Sequence, residues 1–244
     1  MDPFVAEKEE YDLAPCTYQL MNEGTRILVS GLADFVPAVF PEFDRLPIAD
    51  KWLLIRNYQK IFHFVDSNLR THRRYGPYSG MYVHVFGSYT SYQSAETVKG
   101  FFNNCPDLTN ALEAERIYRE CLQLNCGKID SPLHNLMPTE DEYLALMCLS
   151  FWSIDNLEES NEMLEGLATR YRTEILTDLA ERYHQTIGMD EGAVRIGGMY
   201  CLIMALKNAE MSMKWEYEVY RMLNVFDDNT YMYKLQMHRT DCYE

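Results

Sequence analysis

Apolar residues recur along most of this chain at helical spacing. The clearest run opens after Leu46-Pro47. A proline just inside a helix start is favourable, because its missing N–H would be an orphan anyway. Ile48, Trp52, Ile55, Phe62, Val65 and Leu69 then fall at offsets of three, four or seven, and Leu54, Tyr58 and Ile61 widen the stripe. So wide a face predicts a helix buried on more than one side. The preceding segment, Thr25 to Phe40, predicts a helix carrying Leu28, Leu32, Phe35, Val36 and Val39, bent or ended by Pro37 and closed by Phe40-Pro41.

Residues 75–92 follow another rhythm. Gly76-Pro77-Tyr78-Ser79-Gly80 is a turn cluster, and Met81-Tyr82-Val83-His84-Val85-Phe86 alternates. Gly87-Ser88 turns the chain into Tyr89-Thr90-Ser91-Tyr92, which predicts a hairpin. Helical spacing returns over Leu108 to Leu124. Thr139 and Glu142 make a capping box ahead of Tyr143, Leu144, Leu146, Met147 and Phe151. Asp155 or Asn156 is the expected cap of the next helix, whose stripe is Leu164, Leu167, Tyr171, Ile175, Leu179 and Tyr183, ended by Gly188. A long helix is expected from about Glu191 through Met199, Ile203 and Leu206, continuing past Met213 and Tyr217 to Phe226. A short one spans Thr230 to His238. With about eight helices, one hairpin, no linker and no repeat, the reading is one all-α domain over residues 21–244, after an N-terminal segment of residues 1–20.

Composition narrows the classes. At 244 residues a chain buries roughly three quarters of its unfolded surface. Lys and Arg number 22 against 37 Asp and Glu, a net charge of −15, which argues against a domain that grips nucleic-acid phosphate itself. No run of 18 apolar residues predicts a membrane helix. The start, Met1-Asp2-Pro3-Phe4, has neither a basic nor an apolar region of the signal-peptide kind. Seven cysteines, with no C-x-x-C pair, predict reduced thiols in the cytosol or nucleus rather than a zinc site.

Catalytic motifs are weak. Asp227-Asp228 has the form of a Mg²⁺-holding carboxylate pair, as in helical isoprenoid enzymes, but lacks a second acidic cluster. The six histidines are scattered, and no nucleotide-binding glycine loop is present. Gly197-Gly198 sits inside a helical stripe, where it suits close helix approach. Arg70-Thr71-His72-Arg73-Arg74 reads as a solvated helix end or as an anion or partner contact. No catalytic residue, metal or cofactor is expected.

One stretch is more specific. Phe35, Phe40-Pro41-Glu42-Phe43, Leu46-Pro47, Asp50-Lys51 and Leu53-Leu54-Ile55-Arg56 stand in an order that resembles the signature of nuclear-receptor ligand-binding domains, in the Asp-Lys form of the large nematode-type branch. Glu142-Tyr143-Leu144-Ala145-Leu146 and Arg195-Ile196-Gly197-Gly198-Met199 resemble that family's eighth and tenth helices. The resemblance implies a three-layer helical sandwich with a small β-hairpin and a ligand cavity. It implies a nuclear transcription regulator that binds a small lipophilic ligand and a coregulator helix. Homo- or heterodimers would form through the tenth helix, here about Glu191 to Met211. Arg70 aligns with the family's ligand-anchoring arginine. His63, Phe64 and Ser67 would look inward beside it, joined by Val29 and Ala33 from an earlier helix. The coactivator groove maps to Ala38, Arg56, Lys234 and Leu235. Its charge clamp is degenerate: Ala38 replaces the lysine and Lys234 the glutamate, each a loss of about 1–3 kcal/mol per charge-assisted bond. The Glu142–Arg195 pair is expected to be structural. The family's zinc-finger module needs eight ligands in C-x-x-C spacing, so no direct DNA contact is expected from this chain. The competing readings are a helical lipid-binding or Mg-dependent isoprenoid enzyme and a ligand-free helical adaptor.

Overall fold

Helix α1 (Tyr18–Val39) starts a full two turns earlier than its apolar stripe suggests, behind a two-residue strand β1 (Ala14–Pro15). Pro37 falls in its last turn and removes one intrahelical bond there, yet the helix continues to Val39. A 3₁₀ turn over Pro41–Arg45 leads into α2 (Ile48–Tyr75), which begins directly after Pro47 as expected. The described residues are 12–84, 86–103, 105, 108–153, 161–225 and 230–236 of this computed structural model. The Asp155 or Asn156 cap, the Asp227-Asp228 pair and His238 lie outside them.

Strands β2 (Met81–His84) and β3 (Ser88–Ser91) pair antiparallel, Met81 opposite Ser91 and His84 opposite Ser88. The hairpin was legible, but the parallel partner β1 on the other edge of β3 was not. A short α3 (Ala95–Phe102) follows, capped by Ser94. Then come α4 (Ala111–Leu136), α5 (Glu140–Phe151), α6 (Glu162–Thr186), α7 (Met189–Met222) and α8 (Tyr231–Gln236). Thus α4 begins later and runs a dozen residues longer than its periodicity indicates.

The ends of these helices follow local chemistry. Thr139 and Glu142 form the complete capping box of α5. Asn161 caps α6, its Oδ1 accepting from the Leu164 N–H at 3.0 Å. Gly188 closes α6 with φ +89°, and its N–H reaches the Tyr183 carbonyl at 2.8 Å. The Thr230 hydroxyl accepts from the Tyr233 N–H at the start of α8.

The described residues group into two compact units. The first takes the described parts of Met1–Leu28, His63–Ser131 and Leu206–Glu244. Its core joins Tyr18, Met21, Phe101, Phe102, Ile117, Tyr217, Tyr220, Met232 and Tyr233. Full burial of such a side chain contributes about 1.5–3 kcal/mol, so α8 is held by its own apolar face. Tyr18 Oη and Thr230 Oγ1 add a 2.9 Å bond, and Asn22 Oδ1 accepts from the Met232 N–H at 2.8 Å.

The second unit comprises Val29–Phe62 and Pro132–Ala205. Its centre is aromatic. Phe40 stacks on Phe151 with ring centroids 5.2 Å apart, and Trp152 stacks on Tyr171 at 4.7 Å. The Asn161 amide donates to both Asp50 oxygens at 3.1 and 3.0 Å, tying the signature aspartate to the cap of α6. Of the adjacent pair Gly197-Gly198 in α7, Gly198 is the close approach, since a Cβ there would lie 3.2 Å from Leu136. Gly197 has open space instead.

Candidate functional site

A polar cluster lies inside the first unit. Residues four apart on a helix share a face, so α2 presents His63 and Ser67 together, with Phe64 beside them. Residues two apart on a strand share a face, so Tyr82 and His84 point one way from β2 and Ser88 and Thr90 the same way from β3. All seven are buried. The Val83 N–H donates to Thr71 Oγ1 at 2.8 Å, and the Thr71 hydroxyl donates to the Ser67 carbonyl at 2.7 Å, which ties the strand to α2.

The rings are close. His63 lies 6.0 Å from both His84 and Tyr82, and Tyr82 is 5.0 Å from His84, centroid to centroid. Phe101 stacks on His84 at 6.4 Å and on Tyr118 at 4.2 Å. His84 Nε2 and Thr90 Oγ1 share a 2.9 Å hydrogen bond, and the Tyr118 hydroxyl donates to the same oxygen at 3.4 Å.

Several polar atoms here are left over. Among the described residues, His84 Nδ1 has no hydrogen-bond partner. Ser67 stands beside the Tyr82 hydroxyl, yet neither atom closes a well-formed hydrogen bond. Buried polar groups in native interiors are nearly always paired, and each orphan costs about 1–3 kcal/mol. An apolar repacking would be more stable, so the arrangement suits an occupant that supplies the partners.

The cluster is neutral. Burial pushes His63 down to about 4. Burial, and then the neighbouring His63, holds His84 well below the ordinary histidine value. Burial likewise raises Tyr82 and Tyr118 far above the phenol range. No grouping of His, Cys, Asp and Glu suited to a metal ion occurs among the described residues.

Not every expected residue joins this cluster. Arg70 follows Ser67 by three residues, but its Nε donates to Asp66 Oδ2 at 2.8 Å and its side chain is 34% exposed. The guanidinium is thus paired along its own helix rather than buried within the cluster. Val29 is buried in the second unit. Ala33 is exposed on α1, because the buried stripe there passes through Val29, Leu32 and Val36 instead. The expectation for Ala33 as a pocket residue is corrected accordingly. In the groove set, Ala38 is exposed and Lys234 half-buried. Leu235 is wholly buried and Arg56 nearly so. Leu235 belongs to the inner face of α8 and Arg56 to a buried face of α2.

His84, Tyr82, Thr90 and Tyr118 escaped the sequence reading. The signal for Tyr82, His84 and Thr90 was present in the alternation over Tyr82 to Thr90, which sets their side chains on one face, whereas Tyr118 comes from α4.

A second buried polar group lies in the second unit, where the expected Glu142–Arg195 pair forms. Arg195 pairs with both Glu142 oxygens and donates to the Leu136 carbonyl at 3.0 Å. The Tyr183 hydroxyl and the Thr139 N–H add bonds of 2.6 and 2.7 Å to Glu142. Burial works against the Glu142 charge, but the bonds from Arg195, Tyr183 and Thr139 outweigh it and hold the carboxyl down at about 2. These bonds fasten the starts of α5 and α7 to the end of α6 within the unit.

Among the described residues no helix is long and apolar enough to cross a membrane. The family model for the ligand-binding domain of nuclear hormone receptor matches residues 9–223. Three relatives come from Caenorhabditis elegans. Nuclear hormone receptor family member nhr-12 is 23% identical over 216 residues, 86% of this chain and 46% of the relative. Family member nhr-43 is 21% identical over 225 residues, 91% of this chain and 49% of the relative. Family member nhr-16 is 20% identical over 230 residues, 92% of this chain and 57% of the relative. The chain thus spans about half the length of the curated relatives it matches. Its all-helical order with a small sheet and the extent of the match agree, and the chain belongs to the ligand-binding domains of the nuclear hormone receptor family.

Proposed function

We propose that this chain is the sensing half of a nuclear transcription regulator, holding a small lipophilic ligand over the His63–Ser67–Tyr82–His84 cluster. The observation that carries this reading is the set of buried, neutral polar atoms left without partners among apolar neighbours. Family membership favours regulation over isoprenoid catalysis. Native mass spectrometry of the purified protein tests the reading. A co-purifying small molecule, lost in a Ser67→Leu variant that still folds, is the expected result. A ligand retained equally by both proteins refutes it.

Signalling passes through protein contacts in this reading. Along α7, Val194, Cys201, Met204, Met211, Trp215 and Met222 are all exposed and recur at offsets of three, four or seven. Such a seam fits a second helix of the same kind, as in a homodimer or a heterodimer with a related receptor. A coregulator helix would be held without the usual charge clamp, because Ala38 is neutral and Lys234 has the opposite sign. Trp215, 70% exposed, is the largest side chain of the seam. Trp215→Glu should shift the protein to monomer in sedimentation analysis without changing its melting temperature. A wild type that is monomeric at every concentration removes α7 from the account.

A further inference from the structure

We propose that the buried cluster is built for an uncharged oxygen, so that the ligand is a lipophilic alcohol or ketone and not a lipid carboxylate or phosphate. This rests on the reading of the cluster as the ligand site. The first argument is directional. The Tyr118 hydroxyl donates to Thr90 Oγ1, and the Thr90 hydroxyl can in turn donate to His84 Nε2, 2.9 Å away. With Nε2 accepting, the neutral ring carries its proton on Nδ1. That atom is buried and unpartnered among the described residues, so it offers an N–H to an incoming oxygen. Ser67 and Tyr82 bring two hydroxyls that either donate or accept. A hydroxyl can accept from His84 and donate to Ser67, with Tyr82 beside it. A carbonyl can accept from two of the three.

The second argument is charge. Burial alone depresses His63, and burial with His63 depresses His84, so no charged side chain acts on either ring. Tyr82 is raised by burial first, then by Cys126 and by the negative Asp66. Asp66 already engages Arg70 on the same helix. An anionic headgroup would enter a buried site where the charged groups named among the described residues are Asp66 and its partner Arg70, and a buried charge without a counter-ion of its own is far costlier to place than a hydroxyl.

Binding of matched pairs with identical tails tests the inference. Oleyl alcohol against oleic acid, and retinol against retinoic acid, are titrated into the whole chain at pH 8, where the acids are ionised. In at least one pair the alcohol should bind about ten-fold or more tighter than its acid. His84→Phe and Ser67→Ala should each lower the alcohol affinity several-fold and leave acid binding unchanged. Ser67→Ala is the smaller change and carries the test if His84→Phe does not fold. An acid that binds as tightly as its alcohol in both pairs overturns the inference and leaves the ligand site standing. Full alcohol affinity in the Ser67→Ala variant also overturns it, because the headgroup is then elsewhere. No binding by any of the four overturns both the inference and the ligand-site reading.

Discussion

Glu216→Gln should stabilise this protein at neutral pH and flatten its pH dependence. Glu216 lies on α7 in the first unit, 8% exposed, and accepts the Tyr220 hydroxyl at 2.6 Å. Burial pushes its carboxyl up to about 8 from an ordinary 4.5, and the Tyr220 bond offsets only part of that. A raised folded-state pKa means the folded protein holds a proton that the unfolded chain releases. The contribution is fully present below pH 4.5 and is lost progressively as pH rises to about 8. At about 1.4 kcal/mol per pH unit, the loss between pH 4.5 and 7 is at most about 3.5 kcal/mol. Glutamine keeps the shape and an oxygen for Tyr220 but has no proton to lose. Its buried amide N–H groups offset the gain by about 1 kcal/mol if they find no partner. Urea denaturation at pH 5, 6, 7 and 8, followed by circular dichroism, should therefore show parent and variant diverging as pH rises, by roughly 2–3 kcal/mol at pH 7. Parallel stability curves would refute the argument and place the Glu216 carboxylate in water.

Glu142 should act in the opposite direction. Its carboxyl is held at about 2, so its contribution is present above pH 4.5 and is lost as pH falls through about 2. Arg195→Leu leaves that carboxylate buried with fewer donors and should cost about 3–5 kcal/mol in urea, and a loss under 1 kcal/mol would mean that water replaces the guanidinium. Gly192→Ala should destabilise by about 1–3 kcal/mol, because its Cβ would lie 2.6 Å from the Tyr183 Cβ, which has no freedom to swing away. An unchanged melting temperature for that variant would show that α7 starts further from Tyr183.

What was legible in the sequence was local. The Thr139–Glu142 box, Gly188 and Pro47 act on their own helix ends, so residue type and spacing suffice to place them. The wide stripe of α2 was legible because twenty-eight residues give periodicity room to show. Helix α3 has eight residues, too few for a period, and its Ser94 cap lies within a run of turn-like polar residues. Strand β1 has two residues and exists only because β3 offers it an edge. The site was half visible. His63 and Ser67 came from the resemblance, whereas His84 and Thr90 depend on how the hairpin lies against α2, which no spacing rule contains. Arg70 lies outside the buried cluster for a simple reason: Asp66, one turn earlier, pairs with it.

The Asn161 cap has a consequence for how sequences of this kind can drift. Its Oδ1 is committed to the Leu164 N–H, so its amide nitrogen has to face Asp50 and donates to both carboxylate oxygens. Aspartate is as good a helix cap as asparagine elsewhere. At position 161 it would set a second carboxylate against Asp50, which is 6% exposed. Positions 50 and 161 are therefore coupled: an acid at 50 shuts aspartate out of 161, and a neutral residue at 50 lets it back in. In aligned relatives the two columns should change together although 111 residues separate them.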